Sequence, residues 1–219
     1  DKKYLKYDFD KYFKVFPFSL INDESEGFDM GCGTGRWAKF VLPKVDHLTC
    51  IDPSSAINVA KSKLSHFENV SFLKESVDNT SLEPSSQDFG YSLGVLHHVP
   101  NTRDAIKSCV GLLKPDAPLL LYLYYSFDNR PVWFRLIWKA SDLLRKIIYR
   151  LHPLLKNFLT NIIATFVYFP LANISKLVEI LGVNVDKIPL SFYKDHSFYT
   201  MRTDARDRFG TPLEQRFSK

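Results

Sequence analysis

The sequence contains little cysteine, and its three cysteines form no pattern. Cys32, Cys50 and Cys109 lie far apart, and no two of them have the spacing of a metal site or a C-x-x-C redox pair. An odd number of thiols without a disulfide framework favours a reducing compartment. Because no N-terminal signal peptide is visible, we expect a cytoplasmic protein. Because the cysteines lack metal-site spacing, we expect no metal site.

Other motifs are missing as well. The formal net charge is +5, from 29 Lys and Arg against 24 Asp and Glu, and no long basic run points to nucleic acid as a partner. No G-x-S-x-G is present, which disfavours a hydrolase with a nucleophile elbow. The 219 residues, 45% of them hydrophobic, suit one α/β domain with an insertion.

The most informative feature is a glycine-rich turn after a short apolar strand. Residues 28–30 run into Gly31, Gly33 and Gly35, a helical pattern follows, and the next apolar run ends at Asp52. Glycines let a backbone approach a ligand closely, and an acid at the next strand tip can bind ribose hydroxyls. The pattern therefore predicts a nucleoside site.

The glycine spacing separates the candidate ligands. A dinucleotide fold favours G-x-G-x-x-G and a P-loop ends in Gly-Lys-Ser/Thr, whereas this chain has G-x-G-x-G followed by Arg36. The pattern Asp29-x-Gly31-x-Gly33-x-Gly35 with Asp52 instead resembles class I S-adenosylmethionine (SAM) methyltransferases, in particular the group that includes ubiquinone and menaquinone methyltransferases. An NAD-dependent oxidoreductase and a non-catalytic SAM-binding or membrane-surface module remain as alternatives.

The resemblance covers about residues 20–126 and implies a Rossmann-like α/β core with a parallel sheet and helices on both faces. Strands are predicted to begin near residues 28, 48, 69, 88 and 119, and helices over 34–45, 54–66 and 101–113. SAM, with S-adenosylhomocysteine as its product, is the implied ligand. The residues implied to bind it are Asp29, Gly31, Cys32, Gly33, Asp52, Pro53, Ser76, Val77, Asp78, Leu93 and Gly94.

Three residues are candidates for the chemistry. His98 follows the fourth predicted strand and could act as a base, whereas the simpler interpretation is that the pair His97-His98 caps the following turn and packs. Tyr125 could line the acceptor site or belong to the core, and Arg202 could bind an anionic acceptor group or form a structural ion pair. The acceptor is expected to be a small or medium, partly apolar molecule. The same core supports O-, N- and C-methylation, so no acceptor atom is implied.

Beyond the core, residues 127–200 are predicted to form a mostly helical insertion. We interpret it as a lid over the acceptor, with a stabilising or self-associating annex and a basic amphipathic lipid-binding face as alternatives. In the lipid alternative, Arg145, Lys146 and Arg150 provide the attraction. The apolar stretch 158–172 is interrupted by Pro170 and is taken as too short to span a bilayer.

The two ends of the chain give further expectations. The aromatic residues 1–20, grouped with the core as 1–126, either cap the ligand crevice or pack on the sheet. Residues 201–219 are taken as a segment that returns to the core, and the two antiparallel strands that end similar proteins are expected to be absent. The fifth strand would then be an edge, for which we expect a homodimer or cover by the insertion.

Overall fold

The computed structural model describes residues 2–186 and 188–218, with side chains described from Leu5 onward. Its centre is a parallel five-stranded sheet in the order β3-β2-β1-β4-β5. The strands are β1 (Glu26–Met30), β2 (His47–Ile51), β3 (Val70–Leu73), β4 (Phe89–Leu93) and β5 (Leu119–Tyr122). This confirms the predicted Rossmann-like core. The strand order reverses between β1 and β4, and in open α/β sheets a ligand crevice forms outside the carboxyl ends at such a point.

Eight α-helices flank or follow these strands in the described part of the chain. They are α1 (Lys2–Tyr12), α2 (Ala38–Val41), α3 (Ala56–Leu64), α4 (Thr102–Leu112), α5 (Val132–Ile148), α6 (Pro153–Ile163), α7 (Phe169–Ile180) and α8 (Phe198–Gly210). A π-helical turn, Ala164–Tyr168, joins α6 to α7 without interruption. Compact packing divides the chain into a core unit, residues 2–124 with 215–217, and a helical unit, residues 125–214.

The core unit has an apolar layer on each face of the sheet. One layer contains Phe89 and Tyr91 of β4, and the other contains Phe28 and Met30 of β1, because neighbouring residues of a strand point to opposite faces. Phe9 and Phe13 are buried in the first layer. The N-terminal arm therefore packs on the sheet, as one of the two interpretations of residues 1–20 predicted.

Glycine and phenylalanine alternate across the central strand pair. Gly27 is paired with Phe89, and Phe28 is paired with Gly90. A Cβ atom on Gly27 would lie 2.3 Å from the Phe89 ring, and one on Gly90 would lie 2.3 Å from the Phe28 ring. Both rings thus occupy the space that a side chain at the opposing position would need.

The predicted helix over 34–45 is wrong in its extent. The chain remains in turns through Trp37, and α2 is only four residues long before a 3₁₀ turn, Leu42–Lys44. Gly33 and Gly35 have φ values of 54° and 72°, a left-handed conformation that a right-handed helix does not contain. The other two predicted helices match α3 and α4 to within two residues.

The helical unit is built around one long helix. From Pro153 to Ile180 the chain is helical over 28 residues with a mean hydropathy of 1.4 in its most apolar window, which is enough to cross a membrane by length and composition alone. The expectation that Pro170 breaks this stretch is wrong, because the proline falls at the start of α7, directly after the π-helical turn. The inner face of this helix packs through Ala164 and Tyr168 against Met201 and Ala205 of α8.

Candidate active site

The glycine loop lies at the carboxyl end of β1, beside the point where the strand order reverses. Gly31 has a φ of 78°, and a Cβ there would lie 2.4 Å from the Val95 side chain. At Gly35 an added Cβ would lie 2.8 Å from Leu64. Around Gly33, in contrast, no described protein atom lies within 4 Å of that position. The outer glycines are thus required by packing, whereas the middle one faces open space.

Four N–H groups of this loop already have partners within the protein. Those of Gly31 and Cys32 donate to the Ile51 carbonyl at 2.7 and 3.0 Å, and that of Gly35 donates to the Cys32 carbonyl at 3.0 Å. The Gly33 N–H donates to Asp52 Oδ2 at 2.8 Å. A loop that binds pyrophosphate needs such donors directed at the ligand. This geometry disfavours the dinucleotide alternative.

Asp52 is held in one orientation at the tip of β2. Its Oδ1 accepts from the Ser54 N–H at 2.9 Å and from the Ser54 hydroxyl at 2.6 Å, while Oδ2 accepts from Gly33. A carboxylate has about four lone-pair sites. The three protein donors therefore leave room for a hydroxyl of a ligand.

Asp29 is a buried acid in the middle of β1. It is 1% exposed, and burial raises the pKa of its carboxyl to about 8, with the charge of Asp52 adding to the effect. Its Oδ2 accepts no hydrogen bond from any described residue. The Tyr91 hydroxyl is equally buried, and its interaction with Asp29 opposes the effect of burial on the pKa of the carboxyl. A buried carboxyl oxygen that accepts no strong hydrogen bond is costly and calls for an explanation such as a ligand.

The segment after β3 lies at the same edge of the sheet as Asp52. The Asp52 N–H donates to the Leu73 carbonyl at 3.1 Å, which extends the β2–β3 pairing to the strand tips. The Ser76 hydroxyl donates to Asp78 Oδ1 at 2.5 Å, and this bond holds the pKa of Asp78 below its usual range. Val77 is buried in the same apolar layer as Ile51. Pro53 follows Asp52 and is exposed.

The exit of β4 forms the other side of the crevice. Gly94 has a φ of 78° and donates its N–H to the Tyr122 carbonyl at 3.0 Å. After it comes a 3₁₀ turn, Leu96–His98. His97 is fully buried with its ring 3.8 Å from that of Tyr124, and burial lowers the pKa of His97 to about 3. His97 is therefore neutral at physiological pH and packs, which leaves half-buried His98 as the candidate of the pair.

Aromatic residues from three parts of the core unit meet near Gly94. The Tyr12 ring lies 4.9 Å from that of Tyr122 and 5.4 Å from that of Trp37. Burial raises the pKa of the Tyr12 hydroxyl, with Tyr122 adding to the shift. The N-terminal arm thus also reaches the carboxyl edge of the sheet, so its two interpretations do not exclude each other. The sequence prediction did not include Tyr12 in the site.

The returning chain end also reaches this edge. The Gln215 N–H donates to the His97 carbonyl at 2.9 Å, and the Phe217 N–H donates to the Tyr124 carbonyl at 2.9 Å. Between them, the Arg216 guanidinium lies 5.0 Å from the centre of the Tyr124 ring. Sequence reasoning missed these residues, because no local pattern marks a contact between positions so far apart in the chain.

The three predicted catalytic residues fall in different units. His98 belongs to the core unit, together with all the predicted cofactor-binding residues, whereas Tyr125 and Arg202 belong to the helical unit. The Tyr125 hydroxyl accepts a hydrogen bond from Arg130 Nε at 3.1 Å. The Arg202 guanidinium lies 5.6 Å from the centre of the Tyr199 ring. Their catalytic roles, like the lid, stay predictions.

Comparison with known proteins agrees with this geometry. Residues 28–121 match a family model described as a methyltransferase domain. A ubiquinone biosynthesis O-methyltransferase from Proteus mirabilis is 25% identical over 156 residues, covering 65% of this chain and 62% of that protein. This chain spans only 50% to 62% of the length of the first three curated relatives.

Solved structures share the fold of the core. The YcgJ protein from Bacillus subtilis has a TM-score of 0.54 and 22% identity, covering 64% of this chain and 59% of that chain. Phosphoethanolamine N-methyltransferase 1 from Haemonchus contortus, solved with phosphoethanolamine and S-adenosylhomocysteine, has a TM-score of 0.50 and 14% identity. That match covers 57% of this chain and 27% of that chain.

Proposed function

We propose that this chain is a SAM-dependent methyltransferase acting on a small or medium-sized, partly apolar acceptor, because residues 28–121 match a methyltransferase domain model. The observation that carries the proposal is the pairing of the glycine loop with Asp52. The N–H groups of Gly31, Cys32, Gly33 and Gly35 are used within the protein, and the fixed carboxylate still has capacity for a hydroxyl. This combination suits a ligand with a ribose and no phosphate.

The residues present fit SAM, which when bound supplies a methyl group activated on a sulfonium. Asp52 would accept a hydrogen bond from a ribose hydroxyl, and Ser76, Val77 and Asp78 would lie beside the adenine. The open space at Gly33 would admit the amino-acid part, and the buried Asp29 carboxyl lies two residues before Gly31. The Haemonchus enzyme, whose structure contains S-adenosylhomocysteine, supports this assignment.

Methyl transfer from a sulfonium depends mainly on alignment of the acceptor with the methyl group. Tyr12, Trp37 and Tyr122 form an aromatic wall that would orient an apolar acceptor and exclude water. His98 would take a proton from an acceptor hydroxyl or acidic carbon, while buried His97 stays neutral and fixes the turn. The Proteus relative supports an O-methylated acceptor as the first class to assay.

Two further proposals concern the whole protein. We propose a cytoplasmic location, from the unpatterned cysteines. We also propose a homodimer across β5, since among the described residues β5 pairs with β4 on one side and no strand pairs with its other side. Sedimentation velocity tests the dimer, and a monomer at all concentrations would contradict it.

Isothermal titration calorimetry tests the cofactor assignment. The full chain should bind SAM and not NAD, and Asp52→Ala should weaken SAM binding about 10- to 100-fold, the equivalent of about 1.5–3 kcal/mol for a hydrogen bond to a charged group. Exposed Asp116 provides a matched control, because Asp116→Asn should bind SAM like the parent protein. Unchanged SAM affinity in a folded Asp52→Ala protein would overturn the ribose assignment.

A further inference from the structure

The long helix of the helical unit has an apolar face that the described protein leaves uncovered. Its exposed large residues recur every three or four positions and include Leu154, Phe158, Ile162, Phe166, Leu177 and Ile180. Leu154, Phe166 and Ile180 are 75%, 74% and 74% exposed. Soluble proteins rarely expose a continuous apolar surface of this kind unless it binds something.

Helix α5 repeats this arrangement and adds charge. It exposes Leu136, Leu143 and Ile147 along one side. Its exposed basic residues are Arg135, Lys139 and Lys146, and exposed Arg150 follows its end. At about 100° of helical rotation per residue, this basic row lies directly beside the apolar row rather than opposite to it. Long cationic side chains next to an apolar face can extend into a polar interface.

The charge of the chain is concentrated in this segment. Residues 132–180 contain seven Lys or Arg and only two Asp or Glu, so the whole excess of +5 falls here. Between Lys156 and Lys176 the long helix contains no charged residue. Apolar faces with cationic margins are complementary to the hydrocarbon and anionic headgroups of one membrane leaflet.

One part of the earlier lipid hypothesis is wrong. Arg145 is only 4% exposed, and its Nη1 donates to the carbonyls of Thr211 and Pro212 at 3.0 and 2.8 Å, while its Nε donates to Asp142 at 2.8 Å. Arg145 therefore holds the helical unit together and contributes nothing to an outer surface.

We propose that the helical unit binds an anionic membrane surface, with the exposed faces of α5 and of the long helix lying in the plane of the leaflet. The proposal is independent of methyl transfer. A spanning orientation is disfavoured because the inner face of the long helix packs on α8. Helix α8 carries Arg202, Asp204, Arg206, Asp207 and Arg208, which would then enter the hydrocarbon at a high cost. A second copy of the chain fits less well, since it would bring two identical basic rows together.

Vesicle flotation of the full chain tests the proposal. The protein should float with vesicles of phosphatidylcholine and phosphatidylserine and bind at least about tenfold less to phosphatidylcholine alone. Binding should also fall at about 1 M NaCl, because salt at that concentration screens charges beyond about 3 Å. Alkaline carbonate should release it, as expected for an in-plane helix.

The paired variants Phe158→Glu/Phe166→Glu and Val59→Glu/Val110→Glu separate a specific face from general surface apolarity. The first pair lies on the proposed face and should lower the bound fraction at least about tenfold, whereas the second pair, 43% and 53% exposed in the core unit, should leave binding unchanged. Circular dichroism confirms folding of both. Equal loss in both pairs, absence of flotation, or resistance to carbonate would each overturn the proposal. A soluble dimer that the first pair dissociates would assign the face to self-association instead.

Discussion

Replacing Asp29 by Asn should remove a large part of the pH dependence of stability. The folded protein holds the Asp29 carboxyl with a pKa near 8, raised by burial, against 3.8 for the ordinary group. Between these two values the unfolded chain has lost a proton that the folded chain still holds. The stabilisation from this proton is complete below about pH 4 and is lost as the pH rises through 8.

The magnitude follows from that difference in bound protons. Each pH unit between the two pKa values lowers the free energy of unfolding by about 1.4 kcal/mol. From about pH 5 to about pH 7 the parent protein should therefore lose about 3 kcal/mol relative to Asp29→Asn, whose amide does not titrate. Other titrating groups cancel in this difference, because both proteins contain them.

Urea unfolding of the two proteins at several pH values gives the measurement. Asp116→Asn is the control, because Asp116 is exposed and has a φ of 63°, a conformation that asparagine tolerates. This control should follow the parent curve. Parallel curves for the parent and Asp29→Asn would mean that Asp29 is ionised in the native state, and the interpretation of the buried acid would be wrong.

The proposed cofactor should act on the same group. S-adenosylhomocysteine carries an amino-acid ammonium, and a cation near Asp29 would lower the pKa of its carboxyl. Saturating S-adenosylhomocysteine should therefore reduce the pH slope of the parent protein and leave that of Asp29→Asn unchanged.

Two further stability predictions concern packing. Gly90→Ala should destabilise the protein by about 1–3 kcal/mol, because the new Cβ would meet the Phe28 ring. As a control, Gly111→Ala in α4 should be neutral or stabilise by up to about 1 kcal/mol, because its new Cβ would have no neighbouring atom within 4 Å. Equal thermal shifts would contradict the interlocking of β1 and β4. Arg145→Met should lower the free energy of unfolding in urea by about 3–5 kcal/mol, since it leaves Asp142 and two carbonyls without their main donor. As a control, Lys139→Met on the exposed side should change it by no more than about 0.5 kcal/mol.

The sequence predicted the parts of the site that are local. The turn from Gly31 to Gly35 and Asp52 lie within 22 residues, and both follow from glycine conformation and from strands that end at one edge. The five strands and their parallel order follow for the same reason, because βαβ units with right-handed crossovers allow few alternatives. Element ends were less accurate, as the short α2 shows.

Burial of a polar side chain was only partly derivable from the pattern. Arg145 follows Lys139 and precedes Lys146 in a basic segment, but at about 100° per residue it falls on the same helix face as Phe134 and Ile148. What buries it is the loop at Thr211 and Pro212, more than 60 residues away, whose carbonyls face the helix. His97 and His98 are likewise adjacent in sequence, yet only His97 is fully buried beneath the Tyr124 ring.

The proposed cofactor site and the proposed acceptor site therefore have different origins in this chain. The glycine loop and Asp52 form one contiguous βαβ unit, so any chain that preserves the unit preserves the nucleoside site. The carboxyl edge near Gly94 is instead assembled from Tyr12 of the arm, Tyr122 at the end of β5, Tyr124 just after it, and Arg216 of the returning end. Substitutions at these positions can change what the edge accepts without disturbing the loop, which explains how relatives with one common core can differ in acceptor.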